Sequence, residues 1–204
     1  MQPKVIMVQV PEFKHMKLEF LEDRIIPVLP DNLPFQIPLE EVMMDWEDHL
    51  MKRHAEVVCE NGGDILEIGF GMGISANYIQ EQNPKSHTIV EIHPQIIEKL
   101  EGWAAGKPNV NIVRGDWYEN LNNLGVYDGI FYDGFRDPNL HLLKDSLLSL
   151  SKPGTIITFW NSLPEKKNYY NFEDTIYEEM NANAPSNRYY NGDRYYLPKV
   201  IVNG

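Results

Sequence analysis

Residues 65 to 73 read Ile-Leu-Glu-Ile-Gly-Phe-Gly-Met-Gly, and this run constrains the fold more than any other. An apolar strand carrying one acid, Glu67, breaks at Gly69, and helical spacing starts at about Ile74. A strand that runs through alternating glycines into a helix is a nucleotide-binding turn of a doubly wound α/β sheet. The glycines let the backbone approach a ligand where a Cβ would clash. A phosphate-binding loop has no use for a carboxylate in the strand and usually carries a lysine. A ligand with a positive amino or sulfonium group accepts one. The run therefore favours S-adenosylmethionine over a dinucleotide, with Glu67, Gly69, Gly71, Met72 and Gly73 as expected contacts. NAD stays open on these residues alone.

The rest of the chain supplies the alternation that such a sheet needs. Apolar spacing predicts a helix from Leu39, carried by Val42, Met43, Trp46, Leu50, Val57 and Val58 and ended by Asn61-Gly-Gly63. Strands are expected at 64–68, 88–91, 110–113, 127–132 and 155–160. Helices are expected at 74–82, 94–104, 139–150 and 172–182, with Lys152-Pro-Gly154 as a stop. Asn191-Gly192 between two tyrosine-rich runs, 187–190 and 193–202, reads as a closing hairpin. Residues 1–41 differ: six prolines punctuate them, with a short strand expected at 5–10 and a short helix at 14–25. That segment is expected to lie across a main domain of 42–204, either as a packing arm or as a lid.

Length and charge narrow the function. A chain of 204 residues suits one α/β domain. The formal net charge of −12 argues against nucleic acid as a partner, since phosphate backbones need clustered Lys and Arg. No apolar run is long enough to span a bilayer and none reads as a signal peptide. The single cysteine, Cys59, has no internal disulfide partner and reads as a small buried hydrophobe. A soluble protein of the cytoplasm is expected. The six histidines show no tight metal-ligand spacing, and no metal is expected.

Ligands of open α/β sheets bind beyond the carboxyl ends of the strands, where Glu67, Glu91, Asp116 and Asp133 fall. Glu91, about two dozen residues past the glycine turn, can accept both ribose hydroxyls of a nucleoside. Ile92 and His93 follow it and are placed to line the same pocket. Asp116 and Trp117 flank an adenine, unless Trp117 is a core aromatic. Asp133 ends the apolar strand Gly129-Ile-Phe-Tyr and either faces the transferable group or caps the next helix.

Several runs then fall in order from Val42 to the C-terminus: Val42-Met-Met-Asp-Trp-Glu47 with Met51, Leu66-Glu-Ile-Gly-Phe-Gly-Met72, Val90-Glu91, Gly115-Asp-Trp117, Asp128-Gly-Ile-Phe-Tyr-Asp133, Lys152-Pro-Gly154 and Arg194-Tyr-Tyr-Leu-Pro198. Together they resemble guanidinoacetate N-methyltransferase. The resemblance implies a class I methyltransferase (Rossmann-like) fold, a doubly wound seven-stranded sheet with one antiparallel strand in a C-terminal hairpin. It implies S-adenosylmethionine as donor and methyl transfer to a nitrogen of a small guanidino compound, guanidinoacetate, giving creatine. By that likeness Asp133 and Glu47 hold the acceptor guanidinium and do the catalytic work. Met43 and Met51 line the cofactor pocket, Glu91 holds the ribose, and Trp117 and Tyr118 lie beside the adenine. Backbone groups near Ser162 and Leu163 face the far end of the acceptor, in a monomer or homodimer. The N-terminal arm departs from the family, with Trp46 as the first tryptophan. The loop after Asp133 reads Gly-Phe-Arg-Asp-Pro, in which Arg136 either binds a substrate carboxylate or faces solvent. Two other readings stand beside this one: methylation of arginine, free or within a protein, and a cofactor-binding module without catalysis.

Overall fold

The computed structural model describes residues 11–29, 40–187 and 189–203; the strand expected at 5–10 lies outside the described residues. Three short antiparallel strands, β1 (Lys17–Phe20), β2 (Arg24–Val28) and β3 (Met43–Met44), form a small sheet. The main sheet follows: β4 (Asp64–Ile68), β5 (Ser86–Glu91), β6 (Val110–Arg114), β7 (Tyr127–Tyr132), β8 (Ser151–Phe159), β9 (Ile176–Asn181) and β10 (Arg194–Ile201). Its spatial order is β6-β5-β4-β7-β8-β10-β9. The first five are parallel, and β10 runs antiparallel to both of its neighbours, so one strand is reversed as expected. The order turns back between β4 and β7, and that switch point opens a crevice at the strands' carboxyl ends.

Burial explains why these segments are strands. β4, β5 and β7 are buried almost throughout, as parallel strands covered on both faces must be. The helices α1 (Asp48–Val58), α2 (Ile74–Glu81), α3 (Pro94–Ala104) and α4 (Leu143–Ser149) supply the covers. Leu50, Met51, Ala55, Val57 and Val58 give α1 an apolar face against β7 and β8. Backbone bonds continue past the strand ends: Gly69 N–H donates to Val90, Gly115 N–H to Glu91, Asp133 N–H to Ile68 and Trp160 N–H to Tyr132, at 2.8–2.9 Å. These bonds fix the floor of the crevice.

A buried side-chain relay locks α1 to the sheet. The Thr158 hydroxyl donates to the Pro198 carbonyl (2.6 Å), so it accepts from His54 Nδ1–H (2.7 Å). His54 Nε2 then accepts the Tyr195 hydroxyl (2.8 Å), whose oxygen takes the Asn161 N–H (3.0 Å). The His54 ring lies on Phe131, with centroids 4.9 Å apart.

Four expectations are corrected. Residues 14–25 form a 3-10 turn, Phe13–His15, and then the β1–β2 hairpin. Leu18, Leu21 and Ile25 fit a helical stripe, but Leu18, Ile25 and Pro27 are the buried set and Leu21 stays exposed, which is strand alternation. Residues 172–182 end in the edge strand β9, because pairing with β10 satisfies a backbone that a one-sided helix would not bury better. Residues 187, 189 and 190 are in no strand; β10 pairs with β9, and Gly192 lies outside the left-handed region a two-residue turn requires. Lys152-Pro-Gly154 does not stop a helix but sits within β8, at a register shift against β7. In addition, α1 starts only at Asp48, after β3 and a 3-10 turn, Asp45–Glu47.

Candidate active site

A cavity of about 360 Å³ lies at the carboxyl ends of β4, β5, β6 and β7, a size usual for small-molecule sites. Gly69 and Gly71 form its floor, Glu91, Ile92 and Ile96 one side, Asp116 and Trp117 another, and the 133–139 loop the third. Met43 comes from β3 and Val42 from just before it, and Phe13 and Lys14 from the N-terminal segment. The glycines are required here. A Cβ on Gly69 (φ +93°) would overlap the main-chain oxygen of Asp133, and one on Gly71 (φ +53°) would lie 2.7 Å from Met43 Sδ. Met72 N–H also donates to that sulfur, at 3.2 Å.

The lining fits the adenosine of S-adenosylmethionine. Ile92, Ile96, Phe13, Phe135 and Trp117 provide an apolar slot, and Glu91 and Asp116 provide acceptors for hydroxyl and amino groups. The Glu91 carboxylate also stitches the glycine turn to the end of β5, accepting N–H bonds from Phe70 (2.9 Å), Ile92 (2.9 Å) and His93 (2.8 Å). Burial raises its pKa against the pull of those donors.

Other expected cofactor residues sit behind the wall rather than in it. Glu67 is fully buried, bonded to the Ser75 hydroxyl and, at 2.9 Å, to His87 Nε2; it does not reach the cavity. Strand alternation turns it away from the face on which Ile68 lines the cavity. Met51 is packed in the core with Met43, Ala55 and Phe131. Gly73 is the N-cap of α2, against the Phe70 ring. Met72 lines no part of the cavity but packs behind the turn. His93 caps α3, taking the Gln95 N–H (3.2 Å) and donating Nε2–H to the Met16 carbonyl (2.9 Å). Tyr118 lies edge-on to Trp117 and is 40 % exposed, outside the slot. Burial pushes the Cys59 thiol up to about 12, which fits an inert side chain.

Glu47 and Asp133 carry the two acids expected at the acceptor. Asp133 lines the cavity at the end of β7. Glu47 ends the 3-10 turn before α1 and is 3 % exposed. Its Oε1 accepts both Met44 N–H (2.8 Å) and the Tyr189 hydroxyl (2.5 Å). Burial, then the nearby Asp133 charge, pushes Glu47 up to about 8. Burial, then Glu67 and Glu91, pushes Asp133 up to about 7. Trp46, Trp160 and Tyr189 pack on one another, the Trp46 and Tyr189 rings stacked with centroids 6.2 Å apart. Ser162 is exposed and Leu163 N–H bonds the Asn161 side chain (3.2 Å); both follow β8 and neither lines the cavity.

Three residues of the site escaped sequence reasoning. Phe13 enters the cavity and packs against the His93 and Phe135 rings, at 4.9 and 5.0 Å. Asp137 folds the loop back by accepting from Trp117 Nε1–H (2.5 Å), Tyr132 O–H (2.7 Å) and Asn139 N–H (2.7 Å). Tyr189 reaches Glu47 from the β9–β10 connection. The Asp-Pro-Asn run after Arg136 is a turn signal that points to Asp137; the other two carry no local signal.

Comparison with known proteins agrees with this geometry. Residues 31–183 match the family described as guanidinoacetate N-methyltransferase. Protein arginine N-methyltransferase 2 of Candida glabrata is 33% identical over 92% of this chain and 52% of its own length. Its namesake in Saccharomyces cerevisiae is 39% identical over 60% of this chain and 33% of its own length. The chain thus spans between a third and a half of these relatives. An O-methyltransferase from Bacillus cereus in complex with SAH shares the fold, with a TM-score of 0.55 and 17% identity over 76% of this chain and 81% of that one. With a cavity that fits the donor nucleoside and a family match over most of its length, the chain belongs to the guanidinoacetate N-methyltransferase family of S-adenosylmethionine-dependent N-methyltransferases.

Proposed function

We propose that this protein transfers a methyl group to a guanidino nitrogen held between Glu47 and Asp133. One observation carries the reading: Asp133 lines a cavity that fits the methyl donor, and its charge reaches a second buried acid, Glu47. A guanidinium is planar and stays protonated at neutral pH, so it is a poor nucleophile until it loses a proton. Carboxylates hold it by charge-assisted N–H···O bonds and orient one nitrogen. Bound S-adenosylmethionine supplies an electrophilic methyl on its sulfonium. As the new C–N bond forms and the S–C bond breaks, the nitrogen's proton passes to a carboxylate. Acids raised to about 7 and 8 are matched to that task near neutral pH. Positioning supplies much of the remaining acceleration.

The acceptor we favour is the arginine side chain of a protein. Two relatives at 33% and 39% identity are named as protein arginine N-methyltransferases. Guanidinoacetate is the second reading, supported by the family description. Methyl transfer should be measured on guanidinoacetate, free arginine and arginine peptides. Peptides are expected to be methylated fastest. Faster turnover of guanidinoacetate reverses the order, and activity on none of them removes the guanidino assignment. Asp133→Asn and Glu47→Gln should each lower turnover by roughly a hundredfold while cofactor affinity holds.

A further inference from the structure

Tyr189 belongs to the irregular connection between β9 and β10, yet it makes a bond across 142 residues of sequence to Glu47. Its ring is held by Trp46 on one face and by the edge of Trp160. Its backbone is held as well: the Asn187 side chain accepts N–H bonds from Tyr189 (3.0 Å) and Tyr190 (2.7 Å). The phenol is therefore a placed donor rather than a loose surface group.

The Tyr189 bond falls on the same oxygen as the Met44 N–H bond. Glu47 Oε1 takes both, at 2.5 and 2.8 Å, which fills its lone pairs. Among the described residues no donor reaches Oε2. We propose that Tyr189 is a positioning residue for methyl transfer: with Met44 it pins Oε1 of Glu47, so that Oε2 alone is presented to the acceptor guanidinium.

This inference rests on the acceptor reading above. Glu47 then engages the acceptor end-on, through one oxygen, and the direction of that oxygen sets which nitrogen faces the donor. The groups that face Glu47 are Tyr189, Asp133 on β7 and Tyr195 on β10. Of these, Tyr189 is the hydrogen-bond donor that favours the ionised form. Losing the phenol hydroxyl therefore has two consequences. The carboxylate gains a rotational freedom, and it titrates at higher pH.

Tyr189→Phe keeps the ring and its stacking while removing the hydroxyl. The test compares wild type, Tyr189→Phe and Glu47→Gln, with arginine peptide and with guanidinoacetate, across pH 6 to 10. Tyr189→Phe is expected to lower kcat about tenfold, to move the acidic limb of kcat/KM to higher pH, and to leave the melting temperature and S-adenosylhomocysteine affinity unchanged. A collapse in Glu47→Gln together with an unshifted profile and normal kcat in Tyr189→Phe overturns the inference alone. Normal activity in Glu47→Gln overturns the acceptor reading and the inference with it. A Tyr189→Phe protein that melts early, with kcat and KM disturbed but the profile unmoved, assigns the tyrosine a structural role and also overturns the inference.

Discussion

Gly69 lies so close to Asp133 that the Cβ it lacks would overlap the Asp133 main-chain oxygen. The Asp133 N–H in turn donates to Ile68, one residue before that glycine (2.8 Å). The glycine turn after β4 and the acid at the end of β7 are thus locked to each other. A movement of either moves the other.

Gly69→Ala should therefore cost more than the strain of φ +93°, which alone is on the order of 1–3 kcal/mol. The blocking atom is backbone and has no rotamer to yield. Gly71→Ala meets the Met43 thioether instead, the far end of a flexible side chain. Calorimetry with S-adenosylhomocysteine should show binding lost in Gly69→Ala. In Gly71→Ala it should be weakened about tenfold. Equal effects in the two variants would contradict this account.

The raised acids predict the direction of the pH dependence. Glu47 near 8 and Asp133 near 7 are largely protonated below neutrality, and a guanidinium needs them ionised. The acceptor KM should fall as pH rises through 7 to 8, and the cofactor Kd should change little. Stability runs the other way. A carboxyl whose folded pKa lies above its unfolded value near 4 binds more protons in the folded state. Its contribution to stability is present below about pH 4 and is lost as pH rises through 7 and 8. Denaturant titrations at pH 6 and 8.5, on wild type and on the Glu47→Gln and Asp133→Asn double variant, check the sign. The wild type should lose more stability over that interval.

His54 should matter for stability far from any ligand. His54→Leu leaves Thr158 Oγ1 and the Tyr195 hydroxyl without their shared partner in a fully buried place. A cost of about 1–3 kcal/mol follows from the stranded Tyr195 O–H, since Thr158 keeps its bond to the Pro198 carbonyl. Urea unfolding measures it.

Residues whose chemistry is forced by the strand ends were legible in the sequence. Gly69, Gly71, Glu91 and Asp133 sit where a parallel strand delivers its last residue to the crevice, and the structure brings all four to one cavity. The doubly wound sheet with one antiparallel strand followed from the same alternation. Glu67 was misread because position along a strand does not reveal which neighbours will capture a side chain. Here Ser75 and His87, 8 and 20 residues away, take it. The β1–β2 hairpin and β9 were misread because short apolar runs fit both periods, and only pairing across the sheet decides between them. Phe13 and Tyr189 were invisible for a related reason: each contact joins segments that the sequence keeps far apart.

The relay through His54 separates two scales of titration in one small protein. Burial holds that imidazole down to about 3, against an ordinary value of 6.5. In the folded protein the ring stays neutral until pH nears 3, and the stability tied to that neutral form is complete above pH 6.5 and falls as pH drops from there toward 3. The joint between α1, β8 and β10 therefore keeps a single proton arrangement throughout the range in which Glu47 and Asp133 change theirs. Protons come and go at the two acids while the joint that seats α1 on the sheet keeps its own, so the register of helix against strands is the same on both sides of their titration.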